Sequence, residues 1–355
     1  MSALPLLTAS RLKDARACQR LHHYRYNLGY RPAEDATTLR FGSLIHLGLE
    51  AWWNAVRDRR TGDARLQIAL EALEGEADPF EKARAVAMLY GYEARWGELA
   101  EADAYEVAGV EASFETSLVN PETGRASMTW RLAGKVDVLV TERATGRRMV
   151  VEHKTTSENV APGTDYWRRL KLDPQVSLYY AGAEALGFPV ETCLYDVLSK
   201  PAHRPAAIPL IEDGAKVVLD ATGARVRTKD GKRWRETADA AQGFVLQTRP
   251  ETAEEYQARI MASIGEDPNG YFARGEVVRL EGEVAEALFD TWQIGRQLRE
   301  AELAGRFPRN PHACLQYGRT CPFLGVCCGE ASLDDPTLFK KLDTPHPELA
   351  SQEAA

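Results

Sequence analysis

No stretch of this 355-residue sequence approaches the ~20 consecutive apolar residues of a membrane-spanning helix; runs such as Met149–Val151 are far shorter. The opening MSALPLLTASRLKD lacks the basic start and long apolar run of a secretory signal, so a cytoplasmic location without a membrane partner is expected. Positive charge is also short. With 44 Lys and Arg against 52 Asp and Glu, the net charge of −8 excludes a protein that coats nucleic acid by bulk electrostatics, while leaving room for a local basic groove. The nucleotide loop G-x-x-x-x-G-K-[ST] is missing, so the chain shows no motor of its own. Cysteine is scarce, with six residues at positions 18, 193, 314, 321, 327 and 328. The last four crowd together, which in a reducing cytoplasm favours metal over disulfide.

What is present is ordinary globular composition, 44% hydrophobic and 27% charged, long enough to bury a sizeable core. Ser10 is the expected N-cap of a short helix reaching about Gln19, and apolar residues at three-to-four spacing predict helices over Leu39–Arg59 and Phe80–Ala100. From Tyr105 the period shortens towards two. Strands are expected at Val107–Leu118, Ser127–Thr141 and Arg148–Thr155, joined by the turns NPETG and RATG as an antiparallel meander. A helix over Pro174–Leu186, stopped by Gly187 and Pro189, then leads to a strand over Glu191–Ser199, a crossover onto the same sheet. Helices are expected again over Glu251–Ile264 and Glu281–Leu303. The organisation expected is one domain over 1–331: a helical part (1–104), a catalytic sheet core (105–200), a basic hairpin insertion near the substrate (201–245), and a helical return with the cysteines (246–331). A flexible tail follows at 332–355.

Three segments carry basic residues with aromatics: Arg11–Arg31, Tyr166–Lys171 and Arg225–Arg235. Each is a solvated surface or the lining of a groove.

The segments Gly134-Lys-Val-Asp137 and Glu152-His-Lys154 place an aspartate on one strand and a Glu-x-Lys on the next. Alternation along a strand turns Glu152 and Lys154 to one face and His153 to the other. Two carboxylates suit Mg²⁺ or Mn²⁺, which polarises a phosphodiester and activates water, and a neighbouring ammonium stabilises the charge that develops. A Glu-x-Lys on an edge strand also arises as a plain surface ion pair. On the first long helix Gly42, His46 and Glu50 share a face, so His46 is a further ligand or a hydrogen-bonded core histidine. Gln175 and Tyr179 lie one helical turn apart and either contact a nucleotide or form an ordinary helix face.

In chain order, G-x-x-x-H, G-x-x-D, E-x-K and Q-x-x-x-Y resemble the RecB-type branch of the PD-(D/E)XK nucleases, over about Ser10 to Cys327. The resemblance implies an α/β restriction-endonuclease-like core, a central mixed sheet flanked by helices. It implies that His46, Asp137, Glu152 and the His153 backbone carbonyl hold the metal, that Asp137, Glu152 and Lys154 are catalytic, and that Gln175 and Tyr179 steer DNA. Val136, where the family's name has proline, is common in this branch.

Cys314-x6-Cys321-Pro-x4-Cys327, with Cys18, is similar to the iron–sulfur clasp of helicase-associated nuclease domains and CRISPR-associated single-strand exonucleases. A [4Fe–4S] cluster on these four thiolates is therefore expected, with structural Zn²⁺ as the physical competitor and Cys328 as a substitute for Cys327. Cys193, inside an apolar strand, reads as a buried small hydrophobe. The function expected is a Mg²⁺- or Mn²⁺-dependent DNA exonuclease on single strands or ends, in recombination, repair or defence. The alternatives are a DNA-binding accessory protein of that fold acting through a helicase or recombination partner, and a zinc-stabilised α/β protein.

Overall fold

The computed structural model describes residues 4–34, 37–316 and 318–349. Leu6–Leu7 forms a short strand, β1, and Ala9–Ala17 the first helix, α1. The cap is Thr8 rather than the expected Ser10: its backbone is extended and its hydroxyl accepts the Arg11 N–H at 3.2 Å. After β2 (Tyr30–Pro32) come α2 (Thr37–Arg57) and α3 (Pro79–Glu101), the latter capped by Asp78 and opened by Pro79. The expected meander follows as β3 (Tyr105–Val119), β4 (Ala126–Glu142) and β5 (Arg148–Thr156). Helix α4 (Pro174–Ala185) then crosses to β6 (Thr192–Ser199), parallel to β5. Helix α5 (Ala253–Glu266), strand β7 (Phe272–Val277) and helix α6 (Glu281–Ala304) complete the frame. Strand β7 is absent from the sequence expectation; it pairs antiparallel with β6 and closes that edge.

The mixed sheet runs β1-β4-β5-β6-β7, with β3 on the other side of β4. Strand β4 shares its edge between two neighbours. β5 pairs with residues 138–141 and β1 with residues 131–132, so residues 133–137 are left with an open edge. One face packs Val138, Val140 and Val151 against Trp52, Trp53 and Tyr92 of α2 and α3. The other packs Val136, Leu139 and Val150 against Val176 and Tyr179 of α4. Burial on both faces explains why β4 and β5 read as near-continuous apolar runs around their few polar residues.

Residues 203–245 form an arm of short antiparallel ladders, and Phe339–Lys341 forms β8, which pairs with β2. The expected flexible tail thus contains a strand with a buried anchor, Phe339, stacked on Phe323 with centroids 5.1 Å apart. Residues 350–355 of that tail lie outside the described residues. Among the described residues no helix is long and apolar enough to cross a membrane.

Candidate active site

The open edge of β4 and the diverging end of β5 enclose a cavity of about 200 Å³. His46, Asp137, Glu152, Lys154, Gln175 and Tyr179 all line it, so the six side chains expected at the cutting site are brought together; His153, whose carbonyl was expected as a further ligand, is not among the lining residues. Two glycines of the motifs serve close approach. A Cβ on Gly134 would lie 2.7 Å from the Phe114 ring, and one on Gly42 would lie 3.2 Å from Thr155 Oγ1, where α2 crosses the end of β5.

Strand alternation turns Glu152 and Lys154 into the cavity and His153 into the core. Lys154 Nζ pairs with Glu152 Oε1 and lies 3.1 Å from Gln175 Oε1. The Gln175 amide donates to Glu152 Oε1 at 3.3 Å and to the Tyr179 hydroxyl. Gln175 therefore bridges the carboxylate and the ammonium and is itself bonded to Tyr179. Burial alone would lower the Lys154 ammonium, but the Glu152 charge and hydrogen bond outweigh it and hold its pKa above the ordinary lysine range.

Asp137 Oδ2 accepts the His153 N–H at 2.8 Å and lies 3.6 Å from His46 Nδ1. Burial, with Glu152 and Glu111 adding repulsion, pushes the Asp137 carboxyl well above its ordinary value. Burial likewise brings His46 down to about 3, with His153 and Lys154 contributing, so its imidazole is neutral; the His153 backbone opposes the shift as a hydrogen-bond acceptor. On the core side His153 Nδ1 faces Asp196 Oδ2 at 3.5 Å. Asp196 is fully buried and is held by Arg274 at 2.9 Å and by the Tyr92 hydroxyl.

One residue was not foreseen. Glu111 of β3 lies between the pairs Val110–Val138 and Ala112–Val136, and its φ of +50° kinks the strand opposite Asp137. Its carboxylate, ion-paired with Lys135, comes within 4.8 Å of donor atoms of His46 and Asp137. Nothing in local sequence marks the kink; the only signal is an acid at the strand position facing Asp137.

The donor set fits a divalent cation. Hard carboxylate oxygens and a neutral imidazole converge, and Glu152 Oε2 is buried without a hydrogen-bond partner, a costly state that a cation would relieve.

The model of the PD-(D/E)XK nuclease superfamily matches residues 6–328. The chain belongs to that superfamily. Its members are nucleases that hydrolyse nucleic acid and generally use divalent metals, in accord with the mixed sheet and the carboxylate–histidine group. No curated protein matches the chain. Among solved structures, one described as "Crystal structure of SSO0001" is similar at 11% identity, with a TM-score of 0.24. The match covers 56% of this chain and 65% of that one.

A second cavity, of about 500 Å³, is lined by Cys18, Cys314, Cys321, Cys327 and Cys328. Cys18 sits at the C-cap of α1 and Cys314 follows a short 3₁₀ turn; the Cys321 N–H donates to the Cys314 carbonyl at 2.8 Å. Burial raises the Cys321 and Cys327 thiols. The thiols share the cavity but stand apart: among the described residues, the one trio of ligand atoms within 4.8 Å of one another is His46, Glu111 and Asp137. Cys193 is fully buried in β6.

Proposed function

We propose that the chain is a Mg²⁺- or Mn²⁺-dependent DNA exonuclease acting on single strands or DNA ends, in recombination, repair or defence. The observation that carries this reading is the convergence of His46, Glu111 and Asp137 beside Glu152, whose free oxygen is buried, with Lys154 adjacent. Asp137, Glu152, His46 and the His153 carbonyl would hold the cation. When bound, it supplies Lewis-acid polarisation of the phosphodiester and makes water acidic enough to attack at neutral pH. Attack on phosphorus breaks the P–O bond to the departing sugar oxygen. Lys154, kept protonated by Glu152, sits where it offsets the charge gathering on the phosphate. Gln175 and Tyr179 keep that ammonium and carboxylate in register.

The size of the cavity and its walls support a single strand or an end as substrate. Its lining includes Thr8–Ser10 at the start of α1 and Glu348 and Leu349 of the C-terminal segment beside the catalytic groups. A flexible strand or a frayed end can bend to bring its phosphate to such a cavity, which a rigid duplex does less readily.

Cys18, Cys314, Cys321 and Cys327 are proposed to hold a [4Fe–4S] cluster. A zinc ion with bonds of ~2.3 Å to four thiolates would bring the sulfurs to roughly 4 Å of one another. The cavity of about 500 Å³ that these thiols line leaves room for a larger inorganic core.

Labelled single-stranded DNA incubated with the protein and Mg²⁺ or Mn²⁺ should yield nucleotides or short oligomers. Full activity in Glu152→Ala and Lys154→Ala would dismiss the assignment.

A further inference from the structure

We propose that the arm of residues 203–245 grips the phosphate backbone of the DNA strand outside the catalytic cavity, through Lys229, Lys232 and Arg233 at its tip. The proposal rests on DNA being the substrate of that cavity.

The arm is rooted at the catalytic end of the sheet. Ser199, the last residue of β6, pairs with Thr156 of β5, two positions beyond Lys154, and the Lys200 N–H donates to the Thr156 carbonyl at 2.7 Å. From there the chain rises through a ladder of Ala207–Pro209 with Thr248–Pro250 and a second of Val218–Leu219 with Val245–Leu246. It ends in a hairpin closed by the Arg227–Trp234 bridge and turned at Asp230-Gly231, where Gly231 has φ +70°.

Six bases and one acid occupy the eleven positions 225–235, in a chain where acids outnumber bases overall. These cations divide into two sets. The inner ones are used as scaffold. Arg225 pairs with Asp213 at 3.0 Å, Arg235 pairs with Asp239 at 3.5 Å, and the guanidiniums of Arg225 and Arg227 lie 4.3 and 4.2 Å from the centre of the Trp234 ring. The one acid, Asp230, is occupied by the Thr228 hydroxyl and the Lys232 N–H. The outer set, Lys229, Lys232 and Arg233, is exposed and has no carboxylate partner among the described residues.

In a hairpin of evenly mixed charge, acids would balance the bases along its length, whereas residues 225–235 carry six bases against one acid. Here a stiffened base carries three unneutralised cations on a tip that springs from β6, beside the strand that bears Glu152 and Lys154. With Trp234 engaged by two arginines, recognition there would rest on charge rather than base stacking, which suits a substrate read without regard to sequence.

The test measures binding of the full chain to a labelled single-stranded oligonucleotide in chelator, where cleavage is silent, over a range of salt concentrations. Three phosphate contacts at ~0.7 each make up about 2 in the slope of log K against log salt. The variant Lys229→Ser/Lys232→Ser/Arg233→Ser should lose about that much slope and bind roughly tenfold or more weakly at low salt, whereas Lys229→Arg/Lys232→Arg should keep both. An unchanged slope in the triple variant, or loss of binding only to an acidic polypeptide such as polyglutamate, overturns the proposal. The two readings fail separately. A protein that cleaves DNA with an unmoved slope loses the arm, and one that shows the slope change but never cleaves with metal loses the cavity.

Discussion

The His153 N–H donates to Asp137 Oδ2 at 2.8 Å, bridging two strands whose ladder has already ended at Val138 and Val151. A carboxylate thus takes the place of a main-chain carbonyl, and the cost of burying it among Glu152 and Glu111 is offset only in part. Because its pKa is raised in the fold, Asp137 contributes stability fully below its unfolded value of about 4, and that contribution is lost as pH climbs through the folded value.

Asp137→Asn keeps an acceptor for His153 and removes the charge. In chelator the variant should therefore be the more stable protein at pH 8, by ~0.5–2 kcal/mol, with the gap closing towards pH 4, while nuclease activity is abolished. Thermal unfolding at the two pH values checks this. A less stable variant at pH 8 would show that the site is not strained by charge.

Glu111 offers a distinct test, since its φ of +50° costs about 1 kcal/mol that any non-glycine residue there bears. If the kink exists to present a carboxylate to the cation, Glu111→Gln should weaken Mn²⁺ binding by roughly 10–100-fold with little change in stability. Glu111→Gly should weaken it similarly while raising stability in chelator. Calorimetric titration of Mn²⁺ decides between this and a purely structural pairing with Lys135, for which metal affinity would stay put.

The protonation of Lys154 predicts the form of the pH profile. A group whose pKa is raised keeps its proton throughout the range below it, so kcat should show no downward limb from lysine deprotonation between pH 7 and about 10. Lys154→Met should lower kcat by on the order of 100-fold or more without a matching rise in KM. A rate that climbs with pH and levels near pH 8–9, vanishing in the Met variant, would instead make Lys154 a base.

Much of this site was legible because its residues obey local periods. Glu152 and Lys154 follow from alternation, Gly42 and His46 from one helical turn, and Gln175 and Tyr179 from another. What escaped reading depends on partners distant in sequence. Glu111 matters through a kink set against β4, and β7 is a strand only because β6 offers it an edge. The polar segment around Phe339 has no period of its own; it is ordered by the free edge of β2, some 300 residues away. Thr8 outranked Ser10 as a cap for a similar reason, since its hydroxyl also donates to Glu348 at 2.8 Å.

The cysteine cavity joins α1 to a segment about 300 residues later, so a cluster there would restrain the wall that Thr8–Ser10 gives the catalytic cavity. Cys18→Ser and Cys321→Ser should each release iron and labile sulfide, bleach the visible absorbance of the protein and lower Tm by several degrees or more. Cys328→Ser should leave all three intact, because Cys328 is exposed at the rim while Cys327 is half-buried. Removing the cluster should then raise KM for DNA more than it lowers kcat, since Asp137, Glu152 and Lys154 sit on the sheet and not on the restrained helix. Stoichiometric zinc without iron or sulfide in protein purified without oxygen would replace the cluster with a zinc site and remove the first of these expectations.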